Sequence, residues 1–576
     1  MRYQPGTEDI RFILDQVLDA PSRLQGLTAF AGMDGALLGQ VLEEAGRFVA
    51  EVVAPLNRDG DDIGCRFDHG QVITPPGFRQ AYQAFWQAGW PALACAPEDG
   101  GQGLPAVMEA ALYEMLSGAN HGWTMAPGLL HGAYECLKHH GSAALRQTYL
   151  PKLASGEWLA TMCLTESHAG SDLGLARTRA LPRDDGGYDL HGTKIFISGG
   201  EHDLTDNIVH LVLARLPEAL PGPKGLSLFL VPKFYPDGSR SAVHCERIED
   251  KMGLHGSPTC VLRFDAAAGW LVGEPGKGLA AMFVMMNAAR LHVALQGIGL
   301  LDAAWQKAQR YANERRQMRA PGKRVAPAEA DLISQHPAIG RILDTQRAWI
   351  DGGRVLAYRT AMALDMIKHA TDPQQQASAQ RWCALITPMM KAAFTHQAFH
   401  GGSDCLQVFG GHGYVREWGI EQHVRDARVT MIYEGTNEIQ AIDLLVRKVL
   451  ADGGRDLNLL LDDLQIDLQA DLPGDGAHRQ AALTRIAGLR TTTQRLLLAT
   501  PDDVTLAHRV ADDFLRATAL VMLDWAWLRI DASLPHSSHD ARERWQAPAR
   551  ALRHWVLPEF EMRLAIITAQ CAAAGS

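Results

Sequence analysis

Along the first 160 residues, apolar side chains recur every three or four positions, and over 10–18, 37–54, 78–88 and 107–116 that spacing predicts amphipathic helices. A Pro-Glu-Asp-Gly-Gly-Gln-Gly run at 97–103 interrupts the pattern and predicts a turn. From Leu159 the period changes. Short β-branched or apolar runs at 160–165, 188–198, 208–216, 226–234 and 260–264 alternate with Gly, Pro and Asp, as antiparallel strands do. After 269–278 the helical period returns over 279–310, 334–366 and 377–400, long amphipathic segments suited to a bundle. Past Ala451 an acidic stretch precedes helices near 481–499, 504–530 and 542–573, where Leu523, Trp525, Trp527 and Leu528 predict a buried face. The expected fold is mainly α with an inserted antiparallel β domain. Its expected parts are an N-terminal helical domain (1–158), a β-barrel or sandwich domain (159–278), a four-helix bundle (279–450) and an additional helical C-terminal domain (451–576).

Composition narrows the class. With 576 residues, 47% hydrophobic and 21% charged, the chain can bury large cores as an ordinary globular protein. A formal charge of −10 disfavours nonspecific attraction to nucleic acid or anionic membranes. The 9 cysteines are scattered without a C-x-x-C pair, so neither a disulfide framework nor a metal site is expected. No apolar run is expected to reach the length of a membrane span, and MRYQPGTEDIRF lacks the layout of a signal peptide, so a cytoplasmic location is expected.

The chemistry concentrates between Gln407 and Ala441. Gly410, Gly411 and Gly413 can adopt positive φ and leave room for a ligand or another backbone. In Ile432-Tyr433-Glu434-Gly435-Thr436 an apolar run delivers one carboxylate beside a glycine, just before Asn437 to Gln440, which have N-cap and N3 spacing. Glu434 is thus expected at a loop-to-helix junction, where a solvated turn residue and an aimed catalytic base are both compatible with the residues. A second cluster, Leu164 to Asp172, is rich in hydroxyl and small residues that can bind an anionic or heteroaromatic ligand but also make plain turns.

QVFGGHGY followed by RDARVTMIYEGTNEIQ resembles the C-terminal signature of the acyl-CoA dehydrogenase family. The resemblance covers about 35–450, and the chain's length and C-terminal extension are similar to a large bacterial subgroup that includes 3-methylmercaptopropionyl-CoA dehydrogenases. It implies a noncovalent FAD and an acyl-CoA substrate, with Glu434 as the base that removes the α-proton. The thioester oxygen would be polarised by the Glu434 backbone N–H and an FAD ribityl hydroxyl, and the β-hydrogen would leave as hydride to flavin N5. Gln407, Gly410 and Gly411, and with them Thr436 and Glu438, are implied in FAD binding, the glycine segment reaching across a subunit boundary.

Other implied sites are spread along the chain. TESHAGSD resembles the family's T-E-P-x-A-G-S-D loop, which puts Thr165 on the flavin and Ser171 on the pantetheine arm, although Ser167 and His168 replace the usual Pro-Gly. KIFIS resembles K-x-W-I-T, with Ser198 hydrogen-bonding the flavin N5 region and Phe196 in place of Trp. Asn287 and Arg290 match the helix that binds the pantetheine and adenosine region. Ala289 occupies the position from which some relatives supply the base, leaving Glu434. Arg315 matches the arginine that pairs with the FAD pyrophosphate of a neighbouring subunit, with Met318 in place of Phe. No metal is implied. Homodimers or homotetramers are expected, with an electron-transfer flavoprotein accepting the electrons. An acyl-CoA oxidase would share the proton-abstracting site. A flavin-containing DNA-associated relative fits less well with the acidic balance and Glu434, and a non-catalytic helical scaffold would be colourless.

Overall fold

In the computed structural model the described residues are 2–322, 329–470, 476–534 and 539–574, without the side chains of Asn287, 539–541 and Ala574. They form two compact units: Met1–Arg47, Ala110–Gly118 and Val293–Ser576 in one, Phe48–Glu109 and Ala119–His292 in the other.

The second unit carries the β structure. A hairpin pairs β1 (Arg66–Asp68) with β2 (Gln71–Ile73). The main sheet comprises β3 (Leu159–Cys163), β4 (Arg179–Pro182), β5 (Tyr188–Ser198), β6 (Ile208–Arg215), β7 (Leu226–Pro232), β8 (Val243–Ile248) and β9 (Thr259–Val272). Its order is β3-β6-β4-β5-β9-β7, with β8 beside β9 and β6 also pairing β7, so the sheet closes on itself. Leu190, Val212, Phe229, Val231, Leu262 and Phe264 fill its core. β6 and β7 are buried along nearly their whole length, and accordingly read as apolar runs without alternation.

Most pairs are antiparallel as expected, but β3 runs parallel to β6, as does one rung between β4 and β6. The chain between β3 and β6 includes two further strands, long enough for a crossover. β9 extends to Val272, well past the expected end, because Asp265-Ala266-Ala267-Ala268-Gly269 has weak strand propensity yet is held by the β5 ladder. The charged, alternating β8 and the short β4 escaped the apolar criterion.

In the first unit, Pro337–His369 and Pro373–Val408 form the central helix pair. Leu506–Ser533 packs on the former: Trp527 Nε1 donates to the Ala348 carbonyl at 2.8 Å. A Cβ on Gly352 would come within 2.4 Å of Leu523. Leu523, Trp525 and Trp527 are buried, as the sequence indicates. The segment expected as one helix over 542–573 runs from His539–Ala551 directly into a π-helical turn, Leu552–Val556, and is broken before Glu559–Ala574 at Pro558, which cannot donate a backbone hydrogen bond.

A buried network of charges ties this unit together. Arg354 Nε donates to Glu114 at 2.7 Å and its Nη2 to Asp302 at 3.0 Å, all three fully buried. Tyr358 donates to Glu114 and Tyr3 to Asp302. Arg347 reaches Asp9, Asp302 and Asp351, and Arg544 bridges Asp9 and Asp351.

Against the expectation that no apolar run reaches that length, Gly278–Glu314 is long and apolar enough by length and composition to cross a membrane. Its most apolar window is 59% buried, the position of a core helix.

Candidate functional site

Glu434 stands on the turn between Glu421–Thr430 and Asn437–Ile442 with φ +57°. A bulky residue there is strained by about 1–3 kcal/mol and persists only where its surroundings fix it. They do. Gln440, fully buried, donates from Nε2 to the Glu434 carbonyl at 3.0 Å. Gly435 follows with φ +83°, where a Cβ would lie 2.7 Å from that same nitrogen. On the other side, the Tyr433 hydroxyl donates to Gln296 Oε1 at 2.6 Å. Burial pushes the Tyr433 phenol well above its usual range, and the Glu434 and Asp426 carboxylates add to this.

The helix after the turn starts one residue earlier than its N-cap spacing suggested. Thr436 is the cap, its hydroxyl accepting from Ile439 N at 3.3 Å. Asn437 instead turns inward, accepting from Lys391 Nζ at 3.0 Å and Thr395 Oγ1 at 3.1 Å and donating to the Ala392 carbonyl at 3.2 Å. These bonds pin the turn to Pro373–Val408. Glu438 is exposed; its own backbone N–H, then the Thr436 hydroxyl, hold its carboxyl below the usual range.

A second group lies at the C-terminal end of Gly278–Glu314. Tyr311 stacks on Phe409 at 4.2 Å, and its hydroxyl lies 2.8 Å from His412 Nδ1. His412 in turn stacks on Trp418 at 4.5 Å. Around it Gln407, Gly410, Gly411 and Tyr414 are exposed, as are Arg315 and Met318, which follow Tyr311 in the chain. Gly410 has φ +58°, and nothing lies within 4 Å of where a Cβ would stand on it or on Gly411. Met318 is 77% exposed at φ +57°, and the exposed Arg315 side chain makes no hydrogen bond or ion pair among the described residues. Arg315 stands one helical turn past Tyr311, whose ring and hydroxyl contact Phe409 and His412 on either side of Gly410 and Gly411.

In the other unit the Thr165 loop and β5 are stitched together by residues to which the sequence reading gave no role. Lys194 Nζ, fully buried, donates to Glu166 Oε1 at 2.9 Å and to the Leu164 carbonyl at 3.0 Å. Glu166 also accepts from Thr178 Oγ1 at 2.6 Å and from the Arg177 and Thr178 N–H groups. Burial alone would raise the Glu166 carboxyl, but Lys194 and these donors bring it down to about 2. The legible signal was a lysine at an inward position of an apolar strand, which demands a carboxylate partner. The Thr165 carbonyl accepts from Ile195 N at 2.9 Å. Just beyond, the β5–β9 register shifts and Phe196 swings out, 60% exposed at φ +58°. Ser198 follows on β5, its hydroxyl without a hydrogen bond among the described residues, and Ser171 is exposed. Arg290, expected to be a surface side chain were it an ordinary helical arginine, is only 6% exposed, with Ala289 also buried. The Asn287 side chain lies outside the described residues.

Comparison with known proteins gives a family context for this geometry. Residues 276–449, 161–267 and 39–157 match the profiles "Acyl-CoA dehydrogenase, C-terminal domain", "middle domain" and "N-terminal domain". The chain is 40% identical over 534 residues to 3-methylmercaptopropionyl-CoA dehydrogenase of Ruegeria pomeroyi, covering 91% of this chain and 90% of that one. It is 34% identical over 552 residues to the broad-specificity linear acyl-CoA dehydrogenase FadE5 of Mycobacterium tuberculosis, covering 91% and 89%. The fold is similar to that of an acyl-CoA dehydrogenase from Bacillus anthracis complexed with FAD, with a TM-score of 0.75 at 20% identity over 97% of this chain and 94% of that one.

Proposed function

Since the chain belongs to the acyl-CoA dehydrogenase family of oxidoreductases, we propose that it uses FAD to desaturate an acyl-CoA thioester to the trans-2-enoyl-CoA, with Glu434 as the base. The observation that carries this reading is the strained Glu434 turn, clasped by Gln440 and anchored through Tyr433 on Gln296. Such strain is maintained where a side chain must be aimed.

An acyl-CoA α-carbon is a weak acid, so a carboxylate removes its proton only while the thioester oxygen is hydrogen-bonded as it gains enolate character. Glu434 takes that proton, and its backbone N–H is assigned to the thioester oxygen. The bound flavin supplies the acceptor for the β-hydride. The chain's residues fit such a group. Arg315 offers a planar cation for a diphosphate, unpaired among the described residues, Gly410 and Gly411 offer open backbone, and Ser198, two residues past the outward-turned Phe196, offers a hydroxyl without a hydrogen bond among the described residues. Thr165 and Gln407 join this set, together with Thr436 and Glu438 at the Glu434 turn. Ser171, Asn287 and Arg290 are assigned to the CoA part of the substrate.

The exposed Arg315 and Gly410–Gly411 are assigned to the cofactor site of another copy in a homodimer or homotetramer, and an electron-transfer flavoprotein is assigned as the electron acceptor. Purified protein is expected to be yellow and at least dimeric, and Arg315→Ala to lose FAD on dilution. Light scattering that finds a monomer with full flavin occupancy contradicts the shared site. The 40% identity to the Ruegeria pomeroyi enzyme supports 3-methylmercaptopropionyl-CoA as a substrate, with straight-chain fatty acyl-CoAs as the competing choice. Anaerobic flavin bleaching against a panel of acyl-CoAs decides between them, and failure of every acyl-CoA to bleach the flavin refutes the proposed reaction. Peroxide production under air would instead mark an oxidase.

Gln440→Leu keeps the size of the clasp but removes its donor. It is expected to slow flavin reduction by about 10-fold to 10²-fold with little change in substrate affinity, since a base displaced by an ångström loses most of its advantage. Unchanged reduction, followed by stopped flow, would remove Gln440 from any positioning role.

A further inference from the structure

In the first unit, a cavity of about 430 Å³ opens where Pro337–His369 and Pro373–Val408 approach their connecting turn, walled by Leu18 to Leu27. That volume lies within the usual range for small-molecule sites. Two walls use single helix faces: Arg359, Met362, Ala363 and Met366 on one helix, Gln375, Ser378, Ala379 and Trp382 on the next. The segment 18–27 precedes the first residue matched by the family profiles, and Trp525, which backs Arg359, follows the last. The cavity is therefore built partly from sequence outside the family's common domains.

Its lining is divided by chemistry. Leu27, Met362 and Met366 give an apolar surface, while Arg23 and Arg359 bring two guanidiniums to the same space. Arg359 is sandwiched between the Trp382 and Trp525 rings, 3.8 and 4.5 Å from their centroids. Neither guanidinium makes a hydrogen bond or ion pair among the described residues. The nearby carboxylates are engaged elsewhere: Asp463 accepts from Ser378 and Arg381 at 3.4 Å each. Asp467 accepts from Trp525 Nε1 at 2.8 Å and Arg529 at 3.1 Å. Two guanidiniums close enough to repel one another, among thioether and leucine side chains, suit a ligand with one anionic head and an apolar body.

We propose that this cavity binds an amphipathic monocarboxylate, its carboxylate between Arg23 and Arg359 and its apolar part against Leu27, Met362 and Met366. Burial draws the Arg359 guanidinium down to about 10, still charged at neutral pH, and a bound carboxylate compensates that buried charge.

The test is calorimetric titration of the holoenzyme with octanoate, with its acyl-CoA present at saturation to block the proposed active site. One binding event per chain is expected. Arg23→Ala and Arg359→Lys should each weaken it at least about tenfold, the loss of one charge-assisted contact. 1-Octanol should bind at least tenfold more weakly, and inorganic phosphate should not displace octanoate. Arg23 is exposed, so its variant folds, and flavin reduction by acyl-CoA should be unchanged in it, separating failure of this site from failure of the proposed reaction. No heat at millimolar octanoate, equal affinity in Arg23→Ala, equal binding of 1-octanol, or displacement by phosphate each overturns the proposal.

Discussion

Glu434→Gln slows flavin reduction by acyl-CoA at least about 10²-fold to 10⁴-fold, the usual contribution of a positioned acid or base, while folding and flavin content survive. The substitution keeps the side chain's length and shape. The features that set the turn, φ +57° at Glu434 and the Gln440 and Gln296 contacts, involve the backbone and Tyr433 rather than the carboxylate. The defect therefore belongs to the chemical step and not to substrate affinity. Rapid mixing without oxygen reads it directly. Wild-type bleaching in the Gln variant would make Glu434 a turn residue, and with Ala289 incapable of proton transfer the proposed reaction would lack its base.

Lys194→Met is expected to destabilise the barrel by about 3–5 kcal/mol, because it strands the Glu166 carboxylate in a buried site. Glu166→Gln added to it should recover a good part of that loss. The pair also gives a pH signature. The Glu166 carboxyl falls from its ordinary 4.5 to about 2, so its stabilisation, about 3 kcal/mol, is fully present above pH 4.5 and is lost as pH falls toward 2. The Lys194→Met/Glu166→Gln protein should lack that dependence. Because Thr165 and Ser198 flank the Glu166–Lys194 bridge, Lys194→Met should also shed flavin. Denaturant unfolding followed by β-sheet circular dichroism measures the first effect and the flavin spectrum the second. A cost under about 1 kcal/mol would mean that the bridge does not hold the loop.

Why was part of this visible in the sequence and part not? The helix and strand periods placed the helical segments around a β domain because burial of one face imposes a spacing that survives in the residue string. The Glu434 turn was legible because Tyr-Glu-Gly-Thr combines a carboxylate, a glycine and a capping hydroxyl within four residues. Assigning the cap to Asn437 failed, since asparagine caps equally well and only the contacts to Lys391 and Thr395 show it turned inward. The Glu166–Lys194 bridge and the Tyr311–His412 contact escaped because each joins residues brought together by the sheet or by helix packing. Arg290 could not be recognised as buried from spacing alone, since an arginine on a helix face reads the same in either setting. The end of β9 was hidden by alanines, whose strand state is imposed by the neighbouring ladder.

The buried charges around Arg354 also bear on how the chain is made. Synthesis delivers Asp9, Glu114 and Asp302 before either Arg347 or Arg354 has left the ribosome, and Arg544 emerges long after both. Until Arg347 and Arg354 follow, Glu114 and Asp302 must stay hydrated, and Asp9 and Asp351 gain their last partner only with Arg544. The first unit, which draws on 1–47, 110–118 and 293–576, is thus completed only after Arg544 has emerged. A ribosome-bound chain stalled before residue 544 should remain protease-sensitive around Asp9 and Asp351, and release of the full-length chain should protect both segments together.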